Sequence, residues 1–192
     1  MKKSLLLCAA LLLGSCAFVW RGAPSASAQE KGAQGAQDAF FSNLKKLCGK
    51  KFEGATDFPS NAEHPLAGKR LVMHVETCSE REIRIPFQVA EDRSRTWILT
   101  MTAEGLLFKH DHRHADGTPD RVTMYGGLAA LKDGTARTQR FPADAHTAEL
   151  IPEAKTNVWT LEISADGKRF MYYLERNNEM RYRAYFDLGK AL

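Results

Sequence analysis

The chain has 192 residues, of which 44% are hydrophobic, 26% charged and 9% aromatic, and its formal net charge is +4. At roughly 150 residues per domain this is one domain, with or without a tail. The composition excludes a disordered chain, a collagen-like repeat and a polytopic membrane protein. No sustained heptad suggests a coiled coil, and no Cys-x-x-Cys pair marks a zinc ribbon.

Met1-Lys2-Lys3 is followed by the apolar run Leu5 to Leu13 and then by small residues, the layout of a secretory signal. The run ends at Trp20 before Arg21, short for a spanning helix of ~20 residues. Two processing sites compete. Ala26-Ser27-Ala28 before Gln29 has the A-x-A form that signal peptidase reads. Leu13-Gly14-Ser15-Cys16 resembles a lipobox, in which Cys16 would be lipidated and become the N-terminus. The apolar residues Ala17 to Trp20 weigh against the lipobox, since lipoproteins usually turn polar after the Cys. Export is expected either way, with a membrane contact only through a lipid on Cys16.

Removing residues 1–28 removes Lys2, Lys3 and Arg21 and no acid, which leaves 24 Lys and Arg against 23 Asp and Glu, a net +1. The remaining charges are interleaved. Nucleic-acid binding needs clustered cations to neutralise phosphates, and none is expected. Beyond the signal and Cys16, Cys48 and Cys78 are an even pair in an oxidising compartment. A disulfide between them is expected, worth ~3 kcal/mol on the chain-entropy description.

Residues 29–37 are small and polar, with nothing to bury, and read as a flexible tether before a domain at 38–192. Phe40, Leu44 and Leu47 have helical spacing behind Asp38 as N-cap, with Gly49 as the stop. Thereafter the period is two. Strands are expected at Lys51–Phe58, Arg70–Cys78, Glu82–Ala90, Arg95–Thr102 and Gly105–Arg113. A further strand, Asp120–Tyr125, precedes Gly126-Gly127, and Thr135–Phe141 is another. Asp144–Ile151 suggests a helical turn. The last three strands, Asn157–Ser164, Lys168–Arg176 and Met180–Leu188, are joined at Asp166-Gly167 and Asn177-Asn178, strong hairpin signals. Tight turns exclude parallel βαβ units, which need long crossovers. Closure removes exposed edges, so the expected fold is all-β: an antiparallel up-and-down barrel of about 8–10 strands with a short N-terminal helix. A two-sheet sandwich is the alternative.

A helix followed by Cys48-Gly49-Lys50-Lys51-Phe52-Glu53-Gly54 at the start of the first strand, and then a meander, resembles the calycin-like barrels, the lipocalins and fatty-acid-binding proteins. The chain is also similar to exported bacterial proteins, without an assigned activity, that carry the stretch from Lys109 to Asp120. The calycin resemblance implies a cavity for a small, mostly apolar ligand and no catalysis. It also draws attention to Arg183 and Tyr185, placed like the Arg-x-Tyr pair that holds a carboxylate in fatty-acid-binding proteins. The phase opposes this, because Tyr182, Ala184 and Phe186 form the more apolar face. The helical lid of those proteins has no counterpart between Pro59 and Gly68.

One grouping carries chemistry beyond packing. His110, His112 and His114 alternate along a strand and so share a face with Leu106 and Phe108. Cα atoms two residues apart are ~6.6 Å from each other, close enough for imidazoles to share a transition metal or to ligate haem. His74, His64 or Glu76 would supply a further ligand. With Phe108 inside, the imidazoles follow toward the barrel mouth. The plainer alternative is a polar strand end whose histidines are solvated or paired with Asp111, Asp116 or Asp120. No GxSxG, HExxH, P-loop or GxGxxG signature suggests an enzyme. The functional expectation is an exported binding protein for a small, partly apolar ligand, at a site including Phe108, Arg183 and Tyr185. The alternatives are a His-dependent metal or haem protein and a structural domain of the cell envelope.

Overall fold

The computed structural model describes residues 26–59, 64–132 and 134–192. Helix α1 (Ala26–Lys45) precedes β1 (Lys51–Phe58), β2 (Leu71–His74), β3 (Thr77–Cys78), β4 (Glu82–Val89), β5 (Asp92–Thr102), β6 (Gly105–His112) and β7 (Tyr125–Leu128). Then come β8 (Thr138–Pro142), the short helix α2 (Ala145–Leu150), β9 (Asn157–Ile163), β10 (Arg169–Arg176) and β11 (Glu179–Ala191). Every pairing is antiparallel, and the order around the sheet is β7-β6-β5-β4-β2-β1-β11-β10-β9-β8, with β3 also beside β4. Neighbours in the sheet therefore follow the chain order, with β1 closing on β11 and β7 and β8 at the two ends of the path. This is the up-and-down barrel expected, and the sandwich is excluded.

The barrel is closed except for a thin seam between β7 and β8. Two backbone bonds bridge it: Asp144 N–H to the Gly126 carbonyl (2.9 Å) and Ala130 N–H to the Arg140 carbonyl (2.7 Å). The seam corrects one expectation. Asp120–Tyr125 is not a strand; residues 113–124 form a loop, and Gly126-Gly127 lies inside β7. A side chain at Gly127 would put its Cβ 1.9 Å from the Pro142 carbonyl oxygen, so the close approach of the two strands needs glycine there. The expected strand Arg70–Cys78 is interrupted at Val75-Glu76 into β2 and β3, which pair with successive parts of β4.

Helix α1 is longer than expected. It covers residues 29–37, expected as a tether, because Ala, Gln, Glu and Lys are good helix formers and exposed helix needs no apolar face. Its docking stripe is Gln37, Phe40, Phe41 and Leu44, all buried, at helical spacing. Gln37 Oε1 accepts from Leu106 N–H at 2.8 Å, and Asn43 Nδ2 donates to the Ala136 carbonyl at 2.9 Å. These contacts put α1 at the barrel end that holds the β5–β6 and β7–β8 connections. Cys48 and Cys78 form the expected disulfide, with Cα atoms 6.2 Å apart, and tie the helix end to β3. Among the described residues, no helix is long and apolar enough to cross a membrane. Residues 1–25 of the expected signal, with Cys16, and residues 60–63 and 133 lie outside the described residues, whereas Ala26-Ser27-Ala28 begin α1.

Strand alternation fills the interior. On β4, Ile83, Ile85, Phe87 and Val89 are buried in strict alternation with half-buried residues. Phe52, Phe108, Phe141, Trp159, Phe170 and Phe186 occupy the centre, each at most 2% exposed. Beyond this aromatic layer the barrel opens toward its mouth, opposite α1.

Candidate functional site at the barrel mouth

The register of β5 and β6 builds the site in layers. Leu99 faces Phe108, Trp97 faces His110, and Arg95 faces His112 as the chain approaches the mouth. All six alternate on the inward parity, so the lining changes from apolar to aromatic to polar over four residues. β10 and β11 supply Tyr172, Leu174 and Tyr182 from the far wall, β7 supplies Tyr125, and His64 and Leu66 come from the β1–β2 connection. Together with Phe87 these residues surround a cavity of about 170 Å³ that opens to solvent.

The floor is a fixed hydrogen-bond chain. His110 Nδ1 lies 3.2 Å from the Tyr125 carbonyl oxygen, which can only accept, so Nδ1 carries the proton. Nε2 is then the acceptor for the Tyr172 hydroxyl at 3.0 Å. Burial pushes the His110 pKa down to about 3, so the ring is neutral. His110 also stacks on Tyr125, with ring centroids 4.5 Å apart and 13° between planes. Trp97 is sandwiched by Phe87 (4.6 Å, 18°) and Tyr172 (4.8 Å, 3°). The floor is buried and neutral.

The rim is polar. His112 Nε2 and the Tyr125 hydroxyl are 3.0 Å apart. Burial, and then the neighbouring Arg95 charge, lower the His112 pKa. Burial raises the Tyr125 pKa to about 12 and raises that of Tyr182 as well. The Tyr182 hydroxyl donates to Thr56 Oγ1 at 3.0 Å, since the Thr56 proton is engaged by the Leu66 carbonyl. His64 stacks on Tyr182 at 4.9 Å, and burial lowers its pKa. The imidazoles are neutral and the phenols protonated at neutral pH. Arg95 is then the charged residue of the lining. Its Nη1 donates to Asp92 Oδ2 outside the cavity. Burial raises the Asp92 pKa, but hydrogen bonds from Ser94 and Arg95 outweigh it and hold the carboxyl at about 2.

The expected site residues divide. His110 and His112 do point into the barrel toward the mouth, as the alternation requires. His114 does not join them: β6 ends at His112, and His114 N–H bonds to the Thr118 carbonyl in an exposed turn. The period-two argument stops where the strand stops. His74 is on the outer face with Nδ1 3.3 Å from Glu76 Oε1. Both His110 nitrogens are engaged, and among the described residues no three His, Cys, Asp or Glu side chains come together to hold a metal. Asp111, expected as a possible histidine partner, instead faces outward and binds Arg84 (3.2 Å), Arg113 (2.9 Å) and Thr123 (3.2 Å).

Phe108 is fully buried one layer below His110, in edge contact with it at 4.6 Å, and does not line the cavity. Arg183 and Tyr185 face outward, as the phase of β11 implies. Arg183 Nε donates to Asp57 Oδ2 at 2.6 Å, and the Tyr185 ring lies under Arg169 at 5.0 Å. The cation at the mouth is Arg95 instead. Its sequence signal was its parity with Trp97 and Leu99, a charge on the inward face of a strand. Comparison with protein-family models, with curated proteins and with solved structures gives no match.

Proposed function

We propose that this chain is an exported, calycin-like binding protein for a small, partly apolar ligand, held in the mouth cavity. The observation that carries this reading is the cavity of about 170 Å³ at one end of a barrel otherwise filled with aromatic side chains. A cavity of ~150 Å³ is enough for benzene, so a single-ring molecule is the right scale and a long lipid or a tetrapyrrole is not. Aromatic walls with a few convergent polar groups are the usual lining of a small-molecule site. The basic-then-apolar N-terminus and the Cys48–Cys78 disulfide support an oxidising compartment, reached by cleavage before Gln29 or by lipidation of Cys16.

Benzyl alcohol, which matches the cavity in size and carries one polar group, is a suitable probe. In a ¹H–¹⁵N titration its shifts should gather on the Trp97 indole, the Arg95 and Tyr125 amides and the His112 ring. Replacing Leu174 by Trp should fill the space and remove those shifts. Shifts that are absent, or that persist in the filled variant, would sink the reading.

A further inference from the structure

We infer that the natural ligand of the mouth cavity is a small monocarboxylate, gripped by the free edge of the Arg95 guanidinium. This rests on the small-ligand reading above and adds the charge and polar group of the ligand. Three observations carry it.

The first is the state of Arg95 itself. Its Nη1 is occupied by Asp92, while Nε and Nη2 have no acceptor among the described residues. The side chain is only 27% exposed. A guanidinium offers its donors in a planar fork that matches a carboxylate, and charge-assisted bonds of this kind are about twice as strong as neutral ones. The unused donors are therefore a recognition surface for an anionic acceptor.

The second is the company it keeps. Among the described residues, no carboxylate lines the cavity. Asp92 lies outside it and is held by Ser94, whose N–H donates to Oδ1 at 2.9 Å. Asp111, beside His112 on the chain, is engaged on the outer face by Arg84, Arg113 and Thr123. The other polar rim groups, His112, Tyr125, Tyr182 and His64, are neutral. An anion entering the cavity meets one cation; the carboxylate paired with it, Asp92, engages only Nη1 and lies outside the lining, and Asp111 is held by its own partners on the outer face. A phosphate-like dianion would need a second cation, which these residues do not supply.

The third is depth. Trp97, two residues after Arg95 on β5, and His110, two residues before His112 on β6, form the layer below the rim with Tyr172. The acid group therefore sits at the rim and the apolar part points inward, against a floor whose hydrogen bonds are already satisfied. A ligand with its charge buried at the floor would find no partner there.

Benzoate and benzyl alcohol test this on the purified chain, because they differ mainly in charge. Benzoate should bind at least 10-fold more tightly, and only its affinity should weaken as NaCl is raised. Arg95→Gln should abolish the preference, and Arg95→Lys should restore part of it, with melting temperatures confirming that both variants fold. If benzyl alcohol binds as tightly as benzoate, or Arg95→Gln weakens both probes equally, the carboxylate assignment is overturned while the small-ligand reading stands. If neither probe reaches the cavity, both are overturned. The salt series on the unsubstituted protein decides the matter even if the variants fail to fold.

Discussion

Tyr172 and His110, 62 residues apart in sequence, share a buried hydrogen bond of 3.0 Å between Oη and Nε2 that joins β10 to β6 across the barrel. The bond makes a potential metal ligand into a structural crosspiece. His110 must stay neutral to accept from Tyr172, and it must hold its proton on Nδ1 to satisfy the Tyr125 carbonyl. One ring therefore fixes the floor of the cavity from two sides.

The first prediction is a pH effect on stability. The folded His110 pKa is about 3, below the ordinary histidine value of 6.5, so the unfolded chain binds the proton more readily. Stability is full above about pH 6.5 and falls as the pH drops toward 3, by at most ~1.4 kcal/mol per pH unit from this group. Asp92 acts in a lower window, below the ordinary aspartate value of 3.8. Chemical denaturation between pH 7 and 4.5 should therefore show a slope that flattens in His110→Gln. An unchanged slope in that variant would mean that His110 is not buried and neutral.

Removing the aromatic neighbours of His110 should cost stability by different routes. Tyr172→Phe keeps the ring stack on Trp97 but leaves His110 Nε2 without its partner. A loss of ~1–3 kcal/mol is expected for such an unsatisfied buried group. Trp159→Ala removes a side chain that is 2% exposed, and ~3–5 kcal/mol is expected. Equilibrium unfolding should rank the two in that order; the reverse order would contradict the full burial of Trp159.

The barrel was legible in the sequence where it is made of local signals. Asp166-Gly167 and Asn177-Asn178 mark hairpins, and the structure uses positive φ at Gly167 (70°), Asn177 (54°) and Asn178 (60°) there. The phase of β11, with Tyr182, Ala184 and Phe186 on the more apolar side, gave its inward face correctly. The seam was not legible, because Gly126-Gly127 reads as a turn until the approach of Pro142 is known. Nor was the length of α1, since a polar run can be helix or coil with little to choose between them. The site was half legible. Parity gave the inward direction of His110 and His112, but not that Tyr172 and Tyr125 would occupy them. Arg95 carried only its inward parity with Trp97 and Leu99: its role depends on walls supplied by β7, β10 and β11, and no short-range pattern reports which strands face one another across a barrel.

The disulfide carries a separate prediction. Thiol labelling of denatured, unreduced protein should find neither Cys48 nor Cys78 free. Reduction should lower stability by ~3 kcal/mol on the loop-entropy description. Because the bridge holds the end of α1 against β3, the amides of residues 40–44 should lose hydrogen-exchange protection before those of β9 and β10. Simultaneous loss across both regions would show that the helix and the barrel are one cooperative unit.

Glycine substitutions separate the seam from the helix. Gly32 is in the exposed part of α1, and a Cβ added there would meet nothing within 4 Å, so Gly32→Ala should stabilise by roughly 0.5–1 kcal/mol through helix propensity and chain entropy. Gly127→Ala meets the Pro142 carbonyl oxygen at 1.9 Å. Backbone cannot rotate aside as a side chain can, so the strands must part or β7 must shift. The expected cost is at or above the upper end of the ~1–3 kcal/mol typical of overpacking. The seam bonds of Gly126 with Asp144 and of Ala130 with Arg140 should weaken with it, which amide exchange at Asp144 and Ala130 reports directly. Tyr125 begins the same strand, so shifting β7 also displaces the wall of the cavity. Loss of benzyl alcohol binding should accompany faster exchange at those two amides. A Gly127→Ala protein as stable as the parent, with both amides still protected, would show that β7 and β8 are not in contact and that the barrel is open there.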